Sequence, residues 1–256
     1  MGLNAAGSSS ITSAVKPRIV LVGVGHVFDI KSAVKGIIHQ TRPEVVALEL
    51  DSLRFNSLMS KERGKGGPAP LVYRLLAKFQ RDLAEQFGSE AGSEMLAAAD
   101  AAGEIGARVA LIDMEAATVF ARMTKAMSLR EKTLMMLGVV MALFTRKATV
   151  EKELDRFMSN EDKFMAEVKK AYPSVVRVLI DERNEFMARK LKEISSVSQV
   201  TVAVLGDGHV SGMTRMLSEF AEVDVWRLND LQNMPPSARN SEMTLSFTVN
   251  SGNNKI

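Results

Sequence analysis

Two of the three histidines in this 256-residue chain occupy the same local setting. Leu21-Val22 runs into Gly23-Val24-Gly25-His26-Val27, and Val204-Leu205 runs into Gly206-Asp207-Gly208-His209-Val210. In each case an apolar, strand-like run meets a glycine-flanked turn. Glycine accepts φ > 0 and allows a sharp exit from a strand, so each histidine is expected on a stiff turn above a sheet edge. One copy alone reads as a tight strand-to-helix turn with a packed histidine. Two copies read as a site, because the carboxyl ends of strands in an open parallel sheet lie along one edge, where ligands bind.

A third candidate is Glu49 in Leu48-Glu49-Leu50-Asp51. A carboxylate set between leucines at a strand end is costly unless it is paired, coordinated or open to a cleft. Two imidazoles and one carboxylate match the protein part of a hydrolytic metal site, with a further position left for water. The same residues also allow a metal-free site in which His26 is a general base oriented by Glu49. A dinucleotide loop is the rival reading of Gly-x-Gly. It is weakened by Phe28, and by Ser211 in the second copy, where close helix–strand packing wants a third Gly or Ala.

Other polar residues have plainer readings. Asp51 precedes Ser52-Leu53-Arg54 as a helix N-cap. Arg54 reads as a surface residue or as an oxyanion-stabilising group one turn into that helix. Asp113 reads as a cap after the third strand, and His39 as a charge or packing residue at a helix end. The stretch Glu182-Arg183-Asn184-Glu185 flanks an apolar stripe of Met187, Leu191 and Ile194, and periodicity makes it a solvated helix face.

These residues need a scaffold, and five apolar runs supply one. Arg18–Val22, Val45–Leu50, Arg108–Ile112, Val200–Leu205 and Val223–Leu228 read as strands buried on both faces of a mostly parallel sheet. Helical patterns separate them, giving an α/β class with flanking helices. The first crossover, 30–41, stops before Arg42-Pro43, and the strand–helix–strand order fits a βαβ unit. Ser60–Pro70 reads as a loop, 72–87 and 92–106 as helices, and 115–195 as a helical insertion, a cap or dimerisation arm, broken at Tyr172-Pro173. The expected organisation is a flexible leader over 1–17, one α/β domain over 18–231 and a polar tail over 232–256, with one strand-like run at Met243–Val249.

Composition narrows the function. There is no cysteine, so thiolate sites, disulfides and cysteine nucleophiles are excluded. The leader lacks a basic segment followed by an apolar one, which argues for a cytoplasmic protein. Leu134–Phe144 is far shorter than the roughly 20 residues of a transmembrane helix and reads as core or as a homodimer face. A net charge of +3 with interspersed signs and 5% aromatics gives no nucleic-acid surface.

The residues resemble the TraB/PrgY family within the wider Tiki/TraB/GumN group, and more distantly the erythromycin esterases. The likeness rests on Gly23-Val24-Gly25-His26, on Pro43 through Asp51 with Arg54, and on Gly92-Ser93-Glu94-Met95 before Val109–Asp113. It continues through Glu182-Arg183-Asn184 with Met187-Ala188 and Gly206-Asp207-Gly208-His209, so it covers about Ile19 to Leu228. The resemblance implies an α/β fold with a helical insertion and, in the Tiki branch, a divalent-metal protease; the bacterial branch is tied to shutdown of peptide pheromone signalling. By matching positions it implies His26, Glu49 and His209 as the metal or catalytic core, Arg54, Arg183 and Asn184 as supporting residues, and Glu94 as a further candidate. Met114 stands where the pattern has arginine after Asp113, and transmembrane helices found in many relatives have no counterpart in the polar tail.

The function expected is therefore metal-dependent hydrolysis of a peptide, with manganese, cobalt or zinc equally suited to the ligands. The alternatives are a metal-free, esterase-like hydrolase and a protein that captures a peptide without cutting it.

Overall fold

The computed structural model describes residues 16–25, 30–60, 92–144 and 161–234. His26, the 72–87 helical pattern and the Met243–Val249 run lie outside the described residues. Five strands form one sheet in the order β3-β2-β4-β1-β5: β1 Arg18–Val24, β2 Val45–Leu48, β3 Arg108–Leu111, β4 Val200–Gly206 and β5 Glu222–Trp226. Every pairing is parallel, as the apolar runs predict. Three of the runs need correction in extent or burial. β2 ends at Leu48, because the Leu50 N–H turns back to the Leu48 carbonyl at 2.7 Å. Only β1, β2 and β4 are largely buried, whereas β3 and β5 are the outer strands among the described residues and stay partly exposed.

The first crossover is the expected strand–helix–strand connection between parallel strands of one sheet. Helix α1, Lys31–Thr41, ends on Arg42 in the left-handed region (φ 45°) just before Pro43. Yet β1 and β2, which it joins, are not neighbours, since β4 lies between them and pairs with both. A strand from much later in the chain completes the centre of the sheet.

Helices cover both faces. Helix α2 is Ser52–Met59, and α3 is Ser93–Ile105, bounded by Gly92 and Gly106 in positive φ. One face packs Val20, Val46 and Val202 against Ile37 of α1 and Met95 and Ala98 of α3. Between β3 and β4 the described elements are all helical: α4 Ala116–Ala126, α5 Leu129–Phe144, α6 Glu161–Ala171, α7 Pro173–Val176, a π-helical turn at Arg177–Asp181, and α8 Glu182–Ser195. Helix α9 is Asp207–Leu217, and α10 is Leu228–Gln232. The opposite face of the sheet packs Leu21, Ala47 and Leu205 against Leu191 of α8 and Met213 and Leu217 of α9.

Pro173 begins α7, where its missing N–H costs nothing. Met136 and Leu137 in α5 are exposed, so this part of the apolar run is not core. No helix of the described residues is long and apolar enough to cross a membrane.

Glu131 ties this helical layer together. Its carboxylate accepts from Ser128 N (2.7 Å) and Ser128 Oγ (2.8 Å), a capping box at the start of α5, and also from Ser174 N (2.7 Å) in α7. Burial would push its pKa up, but these donors outweigh burial and hold it at about 2. A carboxyl with a depressed folded-state pKa contributes stability that is fully present above its ordinary value of 4.5 and is lost as pH falls toward 2. Thermal melts of wild type and Glu131→Gln across that window should differ at neutral pH and converge in acid; a gap independent of pH would contradict the clamp.

Candidate functional site

The carboxyl edge of the sheet gathers the chemically interesting side chains. The tight turn after Leu48 lifts Glu49 over this edge, while its N–H still bonds the Val204 carbonyl of β4 at 3.0 Å. Glu49 is only 9% exposed, so each carboxylate oxygen requires a partner. Oε2 accepts from Gly206 N at 2.6 Å, and Oε1 accepts from Arg183 Nη2. His209 Nε2 lies 3.4 Å from the same Oε1. Burial would raise the Glu49 pKa, but the imidazole, the Arg183 guanidinium and the Gly206 N–H more than reverse this and hold it at about 2.

His209 does not sit on a turn. Gly206 closes β4, α9 starts at Asp207, and His209 falls in the first helical turn, 4% exposed. Its Nδ1 is 2.7 Å from Asn184 Oδ1. An amide oxygen only accepts, so Nδ1 carries the proton and donates it, leaving Nε2 directed to Glu49.

Of the motif glycines, Gly23 serves close packing, whereas a Cβ at Gly206 would make only ordinary contacts and one at Gly208 would meet nothing within 4 Å. Gly23, Gly206 and Gly208 do not have positive φ. A Cβ on Gly23 would overlap Asp207 Oδ1 and lie 2.8 Å from Val210 Cγ2, so its absence lets α9 close down on β1. Asp207 in turn receives Arg227 Nη2 (2.6 Å) and Leu228 N (2.9 Å), which fixes the start of α10 to the start of α9.

Arg183 and Asn184 correct the reading of a solvated helix face. Asn184 is 2% exposed, and the Arg183 side chain is largely buried. The π turn just before α8, closed by Glu182 N to Arg177 O, shifts the side-chain register of α8 relative to the helix before it. Arg183 then bridges Glu49 and Asp113, with Nε to Asp113 Oδ1 at 3.0 Å and Nη2 to Asp113 Oδ2 at 2.7 Å. Burial would lower the Arg183 pKa, but the two carboxylates raise it above its ordinary value.

Asp113 is the residue that sequence reading underrated. Besides Arg183 it binds Arg54 Nη2, and it accepts from Met114 N at 2.7 Å. Arg54 also donates through Nε to Asp51 Oδ2 at 2.6 Å, while Asp51 Oδ1 caps α2 by accepting from Arg54 N at 2.9 Å. Asp51 is thus the expected N-cap and also part of a continuous chain, Asp51–Arg54–Asp113–Arg183–Glu49–His209. Burial acts to raise its pKa, and the donors of Arg54 bring it below the ordinary value. The signal that could have found Asp113 is its place after β3, since β3 pairs in register with β2, the strand that Glu49 follows.

In this chain three carboxylates face two guanidinium groups, which leaves one formal negative charge beside His209. Glu94, the further candidate, is buried in the first turn of α3. Among the described residues no group of three His, Asp or Glu has metal-holding geometry. His26 is not among them, but β1 runs to Val24, which pairs with Gly206, so the two glycine–histidine segments leave adjacent strands.

Among the described residues a five-stranded parallel sheet flanked by helices places the chain in the α/β class. The TraB/PrgY/gumN family model matches residues 10–225, and the chain belongs to that family. It is also 33% identical over 220 residues to an uncharacterized protein of Methanocaldococcus jannaschii, covering 78% of this chain and 53% of that protein. The chain spans about half the length of that curated relative.

Removing one member of a buried ion pair leaves its partner uncompensated and costs about 3 kcal/mol or more. Asp113→Asn, which strips the shared carboxylate from two arginines, should lower stability by about that amount in denaturant titrations. Asp224→Asn, at the more exposed Arg18 pair, should cost roughly 1 kcal/mol or less. Equal effects would show that the chain of ion pairs is not coupled to folding.

Proposed function

We propose that the protein is a metal-dependent peptide hydrolase whose ion is held by Glu49 and His209, with His26 as third ligand. The observation that carries this reading is the posture of His209. Its Nδ1–H is tied to Asn184 Oδ1, and its Nε2 lies 3.4 Å from Glu49 Oε1. A neutral imidazole in this tautomer points a lone pair at a carboxylate oxygen, an arrangement that calls for a cation between them or a second proton on the ring. Imidazole nitrogen and carboxylate oxygen are both ordinary ligands of a divalent ion, so Glu49 and His209 are the described residues that would hold one. Backing of a ligand imidazole by a carbonyl is the usual second interaction at such sites.

A divalent ion there would supply an acidified water and a polarised substrate carbonyl. The remaining work falls to the chain. Asn184 orients His209, Gly206 N–H and Arg183 fix Glu49, and Arg54 steadies Asp113 so that Arg183 keeps its place. Peptide as the substrate class rests on the family likeness.

A second reading is metal-free hydrolysis with His209 as general base, favoured by one contact: Arg183 already occupies Oε1 of Glu49. The two readings part on chelation. Purified, tag-free wild type should carry roughly one manganese, cobalt or zinc per chain, and His26→Ala, His209→Ala and Glu49→Gln should carry none. Peptide hydrolysis should stop with chelator and return on refilling. Chelator-resistant hydrolysis that His209→Ala abolishes would replace the metal reading with the metal-free one. A tightly bound peptide recovered intact would replace both with peptide capture.

A further inference from the structure

Helix α9 has a glycine in its interior at position 212, one turn beyond His209, so both residues lie on the same helix face. Glycine weakens a helix relative to alanine, and its presence here calls for a reason. Gly212 is helical, so handedness is not that reason. A Cβ at this point would overlap Asn184 Nδ2 and lie 3.3 Å from its Cγ.

Asn184 has little room to withdraw. It is 2% exposed, its neighbour Arg183 is anchored to Glu49 and Asp113, and one turn further along α8 Met187 is fully buried in the core. A larger residue at 212 would therefore displace the amide group, and with it the oxygen that accepts from His209 Nδ1 at 2.7 Å. Without that acceptor the neutral imidazole is free to move its proton to Nε2, the nitrogen facing Glu49.

We propose that Gly212 is a positioning residue for the His209–Glu49 site: its missing side chain seats Asn184, and Asn184 selects the His209 tautomer that leaves Nε2 open as a ligand. The consequence for metal rests on the function proposed above, whereas the tautomer itself does not.

The test uses the full-length chain as wild type, Gly212→Ala, Asn184→Ala and the double variant. Nitrogen-15 NMR of the imidazole at alkaline pH reads the tautomer, and calorimetry with Mn²⁺, Co²⁺ or Zn²⁺ alone reads affinity. His209 should carry its proton on Nδ1 in wild type and shift toward Nε2 in both single variants. Metal affinity should fall about 10- to 100-fold in each, the range for losing a group that supports a ligand. The double variant should bind no more weakly than Asn184→Ala, since both changes act through one side chain. Gly103→Ala, where a Cβ meets nothing within 4 Å, should raise Tm and leave the tautomer unchanged.

Retention of the Nδ1 proton in Gly212→Ala, or losses that multiply in the double variant, would overturn the proposal. If Gly212→Ala fails to fold, recovery of folding in the double variant supports the clash with Asn184, and failure there too overturns it. If wild type binds none of the three metals, the functional reading falls and the tautomer measurement decides this one alone.

Discussion

A carboxylate buried at the end of a central strand governs this site. Glu49 cannot be left ionised in an apolar surrounding without compensation, and a depressed pKa of about 2 means that it is ionised at neutral pH. The compensation comes from two different elements, the Gly206 N–H at the end of β4 and the Arg183 guanidinium on α8, while His209 on α9 brings Nε2 to 3.4 Å from the same carboxylate. Each of these has its own requirement. Arg183 is buried and needs Asp113; Asp113 is buried and also takes Arg54; Arg54 returns to Asp51, which caps α2. One buried charge thereby links the ends of β2, β3 and β4 to α2, α8 and α9.

This linkage depends on strand order. Because β4 enters between β1 and β2, its C-terminus lies directly beside that of each, and the Gly206 N–H faces the Glu49 carboxylate. Had β1 and β2 paired with each other, His209 and Glu49 would sit a strand further apart. The helical segment after β3 contributes through its last member, where a π turn precedes Arg183 and Asn184. Rigid anchoring of that helix by Met187 and Leu191 in the core keeps both side chains at the sheet edge. Pre-organisation of this kind is what a site needs if its groups are to hold a geometry rather than search for one.

Much of this architecture is legible in the residues alone. The apolar runs reveal five strands and a parallel sheet, Arg42-Pro43 marks the end of α1, and Gly92 and Gly106 bracket α3. The repeated Gly-x-Gly-His and the lone acid between leucines single out His209 and Glu49, and family likeness adds Arg54, Arg183 and Asn184. Other features are hidden because their signal is not local. The polar flank of α8 looks solvated by periodicity, since a helical wheel cannot know that its polar side faces a buried acid. Asp113 looks like a cap because its two arginine partners stand 59 and 70 residues away.

Short-range chemistry therefore chooses which segments become strands and helices, because apolar period, β-branching and proline or glycine stops act over a few residues. Residue types alone also nominate the side chains able to do chemistry. Long-range packing is what puts β4 between β1 and β2, closes α9 down on β1 at Gly23, and joins Asp113 to two arginines. Those outcomes arise from the burial of charge and from the fit of one helix against another, and both are set by residues far apart in the chain.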